Sequence, residues 1–443
     1  MNRTNETKLS LRILSLLLSL LMLLPLAACG QKTAVTSADA SAGASAETTA
    51  SVTTARETTA AETTVAETTA EPEKYEIRLN APASTAIHTE LQATFLSSSD
   101  PHAFADILGP AYAAQSVSYD DDPGTLEFGR PNPITLTWTI PAEAEGHVSA
   151  FTLRIWTKAD GSDAKEIAVD ADKTEYALYN AFIGTTYKWT VTLLDDEGDS
   201  VTSSVATFRT DSQAPRNLCV DGVTNVRDLG GWMTLDGGRV RQGLLYRGAR
   251  LNENFTTDEI LVTEEGAKTL RDELGIKTEI DLRQTKAVNN RNESGGITAS
   301  PLGSSVTYLA RPMDYGEVLI TEQKNIQRVR EVFALLADES NYPIYFHCSI
   351  GTDRTGLIAW LVNGLCGVSE KNLWRDYLFS NFGEIGGTRT RAKNEGVYVN
   401  QIKAKDGANL AEKTYNFLKD YFGVPESDLN AVVRILKETP NAQ

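Results

Sequence analysis

His347-Cys348-Ser349-Ile350-Gly351-Thr352-Asp353-Arg354-Thr355-Gly356 is the stretch of the chain with the most concentrated chemistry. It follows Pro343-Ile344-Tyr345-Phe346, which reads as a buried strand, and precedes an apolar run from Leu357 to Leu365 that reads as a helix. A cysteine at such a junction stands at the carboxyl edge of a sheet and the N-terminus of a helix. Unpaired backbone N–H groups and the helix dipole favour negative charge there. The same field favours a thiolate over a thiol, so Cys348 is expected to be a nucleophile at neutral pH. Arg354, six residues further on, can fold back and grip an oxyanion with two parallel hydrogen bonds, following its charge into the transition state. Lys could not do so in the same bidentate way. Ser349, Ile350, Gly351, Thr352, Asp353 and Arg354 are then the residues that hold the anion, with Thr355 supporting them. His347 is expected to be a buried hydrogen-bonding residue that orients the loop and lowers the thiol pKa.

Positioning these groups requires an open sheet with helices. From Asp211 onward strand and helix patterns alternate: Lys277 to Leu282 as a strand, Glu322 to Ala337 as a helix, Pro343 to His347 as a strand, then a helix from Arg354. That order predicts an α/β domain over 213–443 with a mainly parallel sheet flanked by helices. Ahead of it, Ile134-Thr135-Leu136-Thr137-Trp138, Phe151-Thr152-Leu153-Arg154-Ile155 and Tyr187-Lys188-Trp189-Thr190-Val191 alternate with period two between Gly, Asp and Pro. They predict an N-terminal β-sandwich over 131–212, so the chain is multidomain. Residues 74–130 hold a strand pattern at Tyr75 to Leu79 and a helical pattern from His102 to Leu108, and fit either an extra layer on the sandwich or a short linker domain.

The loop resembles that of the protein tyrosine phosphatases, and in particular the bacterial tyrosine and dual-specificity type, whose loop reads His-Cys-x-x-Gly-Lys-Asp-Arg-Thr-Gly. Asn225-Val226-Arg227-Asp228-Leu229-Gly230-Gly231, Leu245-Tyr246-Arg247-Gly248-Ala249, Ile280-Asp281-Leu282-Arg283 and Asp376-Tyr377-Leu378-Phe379-Ser380-Asn381 resemble further motifs of that group. The resemblance spans nearly all of 217–443. It implies hydrolysis of phosphomonoesters, phosphotyrosine above all, through a phosphocysteine, with no metal and no cofactor. It also implies that a carboxylate protonates the leaving group. Asp353 in the loop matches the residue the group carries there, and Asp314, in Arg311-Pro312-Met313-Asp314, resembles the mobile acid of tyrosine phosphatases generally. Asp281 and Arg227 are expected to brace the loop. Thr352 stands where the group usually has Lys, a position that, when basic, favours multiply phosphorylated inositol substrates; Thr352 lowers that preference, and an inositol-phosphate or phosphoinositide phosphatase, which shares the loop chemistry, is the second expectation. A surface binding protein with an inactive phosphatase domain is the third. Trp138, Gly184-Thr185-Thr186-Tyr187 and Val205 to Thr210 make 131–212 resemble a fibronectin type III module.

Composition constrains partners. A formal charge of −17 over 443 residues argues against a nucleic-acid partner, since phosphate backbones are bound by clustered bases. An acidic body must gather positive potential locally to bind phosphate. Arg3, Lys8 and Arg12, the apolar run Ile13 to Leu24 and then Pro25-Leu26-Ala27-Ala28-Cys29 read as a secretory signal over 1–28. Leu26-Ala27-Ala28-Cys29 resembles the lipobox of bacterial lipoproteins, which implies that Cys29 is lipidated and that the body is membrane-anchored outside the cytoplasm. Residues 31–73 are almost entirely Ala, Thr, Ser and Glu, with near copies such as Glu57-Thr58-Thr59-Ala60 and Glu67-Thr68-Thr69-Ala70. They lack aromatics to bury, so 29–73 is expected to be a disordered tether reaching on the order of 35 Å. Cys219 and Cys366 could pair in an exported protein, although Cys366 follows an apolar helical run and reads as core.

Overall fold

Period-two runs rich in Thr, Val and aromatics become strands, as their pleated, half-buried pattern requires. The computed structural model describes residues 75–104, 129–286, 290–385 and 388–439. Cys29, the Ala/Thr-rich segment and residues 105–128 lie outside them. One sheet runs β1 (Arg78–Asn80), β2 (Ile134–Thr139), β5 (Glu175–Leu178); another runs β4 (Lys165–Val169), β3 (Val148–Trp156), β6 (Thr186–Asp195), β7 (Ser200–Thr202), with β8 (Ala206–Arg209) also on β6. All these pairings are antiparallel. Trp138 on β2 and Phe151 on β3 meet edge to face at 5.4 Å, so side chains from the two sheets share a core with Trp189.

The segment before β2 divides its contacts. β1 adds a strand beside β2. Helix α1 (Glu90–Ser97) instead buries Phe95 against Phe379 and Phe382 of the C-terminal half, with ring centroids 6.5 and 5.5 Å apart. Its start is set by a capping box in which Thr89 and Gln92 satisfy each other's backbone N–H groups. Of the helical pattern expected from His102 to Leu108, residues 102–104 are helical and 105–108 lie outside the described residues.

The C-terminal half is built on a five-stranded sheet in the order β13 (Thr307–Ala310), β12 (Thr278–Asp281), β14 (Ile344–His347), β11 (Leu245–Gly248), β9 (Arg227–Asp228). The first four are parallel and β9 is antiparallel to β11. A separate pair joins β10 (Arg239–Val240) to β15 (Lys437–Glu438). Every residue of β11, β12 and β14 is buried, as strands covered on both faces must be. The covering helices are α2 (Glu264–Lys268), α3 (Gln323–Leu336), α4 (Asp353–Cys366), α5 (Glu370–Phe379), α6 (Leu410–Phe417) and α7 (Glu426–Leu436). Helix α4 is buried at every position but Asp353, the signature of a central helix. Cys366 lies in that core and, like Cys219, carries a free thiol; no disulfide joins them. The register aligns Gly248, Asp281 and His347, so three parallel strands end side by side beneath the loop that leads into α4.

Candidate active site

The shape of the loop follows from what holds its carbonyls. Arg250 Nη1 donates to Ser349 O at 3.2 Å, Asn225 Nδ2 to Ile350 O at 3.0 Å, and Arg247 Nη2 to Gly351 O at 2.7 Å. With three consecutive carbonyls drawn outward, the peptide N–H groups on their opposite sides turn toward the loop's centre and form a cradle for an anion. Gly351 makes the turn at φ +70°, and a Cβ there would lie 2.4 Å from Gly248 O, so only glycine fits.

Behind the cradle, Asp376 on α5 accepts from two buried guanidinium groups. Arg227 Nε reaches Oδ1 at 2.9 Å and Arg247 Nη1 reaches Oδ2 at 2.6 Å. Two cations share one carboxylate, leaving an excess of positive charge where a bound phosphate would need it. Burial and the like charge of Arg247 push the Arg227 pKa down to about 10. Arg227 also donates to Asn225 Oδ1 at 2.5 Å, and Asn225 in turn holds the Ile350 carbonyl of the loop.

Cys348 is only 3% exposed. Burial by itself raises the thiol pKa, yet the Arg354 charge, the Thr355 hydroxyl and the Thr355 backbone N–H together bring it below the ordinary thiol value. The buried Thr355 hydroxyl has no hydrogen-bond partner among the described residues, which leaves its proton available to the Cys348 anion. His347 enters differently from expectation. Its Nδ1 faces Cys348 O at 3.1 Å and its Nε2 faces Glu279 Oε1 at 2.9 Å, so both nitrogens are engaged away from the sulfur. Both partners are acceptors, which suits an imidazolium. Burial opposes that charge, but Asp281 and Glu279 prevail and raise the His347 pKa. His347 therefore ties β14 to β12, and the thiolate is favoured by Arg354 and Thr355. Asp281 pairs with Arg283 at 2.8 Å and accepts from Tyr308, bracing the strand ends rather than touching the loop.

Arg354 is aimed chiefly by Glu293, which sequence reasoning passed over. Its Nη1 donates to Glu293 Oε2 at 2.6 Å and to Leu282 O and Met313 O at 3.3 Å; its Nη2 donates to Ser349 Oγ at 3.3 Å. Glu293 comes from a Gly- and Asn-rich loop with no periodicity to mark it. The ring of Tyr315, 45% exposed, stands 5.4 Å from the Arg354 guanidinium, and Arg291 donates to its hydroxyl at 3.1 Å.

Both candidate acids lie at the rim. Asp314 follows Met313, whose carbonyl touches Arg354, and its Oδ1 accepts from Gln284 at 2.5 Å. Asp353 lines a cavity of about 600 Å³ together with Gly316, Glu317 and Leu319, which follow Asp314 in the chain. Tyr377 Oη and Arg389 Nε approach its Oδ1 at 3.5 and 3.6 Å. Arg389 Nε also donates to Thr352 Oγ1 at 3.2 Å.

The segments at 225–231, 245–249, 280–283 and 376–381 thus converge on one loop, and residues 218–441 match the family model described as the tyrosine phosphatase family. The chain belongs to that family. A Cupriavidus necator protein named as a candidate tyrosine-protein phosphatase is 29% identical over 192 residues, which cover 38% of this chain and 64% of that protein. Fibronectin type III domain-containing protein 1 of Margaritifera margaritifera is 31% identical over 96 residues, covering 21% of this chain and 12% of that one. This chain therefore spans less than two thirds of either relative. Among solved structures, the catalytic core of the S. cerevisiae PP-IP phosphatase Siw14 with citrate covers 41% of this chain and 95% of its own, at 12% identity and a TM-score of 0.25.

Proposed function

We propose that this chain hydrolyses phosphomonoesters through a phosphocysteine intermediate, with phosphotyrosine in proteins as its substrate class. The observation that carries the reading is the environment of Cys348: a buried thiol whose pKa nonetheless falls because Arg354 and Thr355 favour its anion. In the first step the Cys348 thiolate attacks phosphorus, the bond from phosphorus to the ester oxygen breaks, and that oxygen takes a proton from Asp353 or Asp314. In the second, the same carboxylate draws a proton from water, whose oxygen attacks phosphorus. The S–P bond breaks, inorganic phosphate leaves and the thiolate returns. Arg354 and the inward N–H groups hold the equatorial oxygens in both steps. The exposed Tyr315 ring beside Arg354 offers an apolar face to an aryl leaving group.

In this reading Cys29 carries the lipid that anchors the chain outside the cytoplasm, and the two antiparallel sheets ahead of the catalytic half form a β-sandwich of fibronectin type III kind. The likeness to the Margaritifera protein supports the latter. An inositol-phosphate or phosphoinositide phosphatase is the second reading. It gains from one observation, that Arg389 brings a second cation, besides Arg354, to the loop at Thr352, where the Lys of the resembled motif is missing.

The test measures phosphate release, in the presence of a chelator, from phosphotyrosine peptides, phosphoinositides and inositol hexakisphosphate, with Cys348→Ser as control. Release from the peptides that Cys348→Ser abolishes is the expected result. Release from the inositol compounds alone would move the assignment to the second reading, and none from any substrate would leave a binding protein. With peptide substrates, the acid is whichever of Asp314→Asn and Asp353→Asn slows turnover on poor leaving groups by about 100-fold or more.

A further inference from the structure

Two exposed rings stand at the rim of the phosphate loop, with one guanidinium between them. Tyr315 lies 5.4 Å from the Arg354 guanidinium. Arg291, which donates to the Tyr315 hydroxyl, stands 5.9 Å from that ring and 5.8 Å from the ring of Phe255. Phe255 is 58% exposed, so an apolar ring faces water in a place continuous with the site already described.

A scattered surface phenylalanine needs no explanation, but this one is held in a conformation that phenylalanine resists. Its φ is +69°, in the left-handed region that glycine or asparagine enters more readily. The bonds around it enforce that conformation. The Phe255 N–H donates to Glu293 O at 3.0 Å, and the fully buried Asn252 donates to Glu253 O and Thr256 O, on either side of Phe255, at 3.0 Å each. The same mounting is registered on the phosphate loop, because the Glu293 carboxylate holds Arg354 and Asn254 Oδ1 accepts from Ser349 Oγ at 3.4 Å. A strained backbone that presents an apolar ring to solvent gains little from packing and suits a surface that is covered only when substrate binds.

We propose that Phe255 is a specificity-determining residue: its ring receives an apolar side chain next to the phosphotyrosine of a substrate protein, while Tyr315 faces the phosphotyrosine ring itself. This rests on the reading of the chain as a phosphotyrosine phosphatase and adds which surroundings of phosphotyrosine it selects. Covering one face of the Phe255 ring removes apolar surface of both partners from water, which favours such substrates about five- to tenfold over those with a small polar neighbour.

Steady-state kinetics of the full chain test this, with p-nitrophenyl phosphate and with phosphotyrosine peptides that carry Leu, Ser or Glu on either side of the phosphotyrosine. The parent should show a kcat/KM about five- to tenfold higher for the Leu peptides than for the Ser peptides, with the difference in KM. Phe255→Gly, which the left-handed conformation accommodates, should bring the two within about twofold, and Phe255→Tyr should keep the preference. Turnover of p-nitrophenyl phosphate, which has no neighbouring residue, should change far less than that of the Leu peptides. A parent indifferent to Leu would overturn the proposal. So would an equal loss on p-nitrophenyl phosphate and on the peptides in Phe255→Gly, which would make the ring merely structural. A preference for Glu that Arg291→Gln removes and Phe255→Gly does not would overturn it as well, giving the rim to charge. Parent protein that hydrolyses none of these phosphates would instead overturn the phosphatase reading, and release from p-nitrophenyl phosphate alone would overturn the protein substrate class; this inference falls with either.

Discussion

At the scale of single residues, the site is an exercise in keeping charge where a hydrophobic fold would remove it. Cys348, Arg354, Arg247 and Asp376 are all buried, and each charge is supported by partners rather than by water. Thr355 is the most economical of these supports, because its hydroxyl and N–H both favour the Cys348 thiolate. Thr355→Val keeps the shape and removes only the hydroxyl. The midpoint of the pH dependence of Cys348 alkylation should then rise, by up to about one pH unit. An unchanged midpoint would assign the whole effect to Arg354 and the backbone.

At the scale of elements, the legible parts were those in which neighbouring residues carry the signal. The strand from Ile344, the loop and the apolar helix after it form one continuous pattern, and the helix at Gln323–Leu336 shows its period. Glu293 was not legible, because it reaches Arg354 from 61 residues away through irregular backbone; its role exists only once the sheet has closed. Helix α1 was missed although Thr89-Glu90-Leu91-Gln92 is a readable capping box, since eight residues give too little periodicity to notice. For His347 the expected lowering of the thiol pKa has no direct contact with the sulfur behind it: successive strand side chains point to opposite faces, and the ring meets Glu279 on β12. The loop's dependence on its neighbouring strand gives a prediction at this scale. Gly351→Ala adds a Cβ at φ +70° and 2.4 Å from Gly248 O. The left-handed conformation alone costs about 1–2 kcal/mol, and relief of the contact must part the loop from β11. Urea denaturation should show a loss of at least that size together with loss of phosphate binding. Stability and binding both near the parent's would mean that the turn tolerates a side chain.

At the scale of the whole molecule, the two antiparallel sheets are tied to the C-terminal half by buried polar contacts as well as by apolar packing. Arg216 donates to the carbonyls of Asn180 and Ala181, pairs with Asp228 at 3.0 Å and stacks on Phe182. Nearby, His88 is buried, with its Nε2 donating to Pro215 O at 2.8 Å and its ring edge-on to Phe379. Burial lowers its pKa from 6.5 to about 4, against the weaker opposing pull of the Pro215 carbonyl and Asp211. The folded state therefore binds fewer protons at this site than the unfolded chain between those two values. Stability from His88 is complete above pH 6.5 and is lost as pH falls toward 4, by about 3 kcal/mol in all. His347 has the opposite sign: its raised pKa contributes fully below pH 6.5 and is lost above it, so it adds no slope in the acid window. Urea midpoints at pH 7 and pH 4.5 separate the two. The parent should lose more stability on acidification than His88→Gln, whose amide can still donate to Pro215 O but cannot titrate. Equal losses would show that the acid sensitivity of this contact arises from groups other than His88.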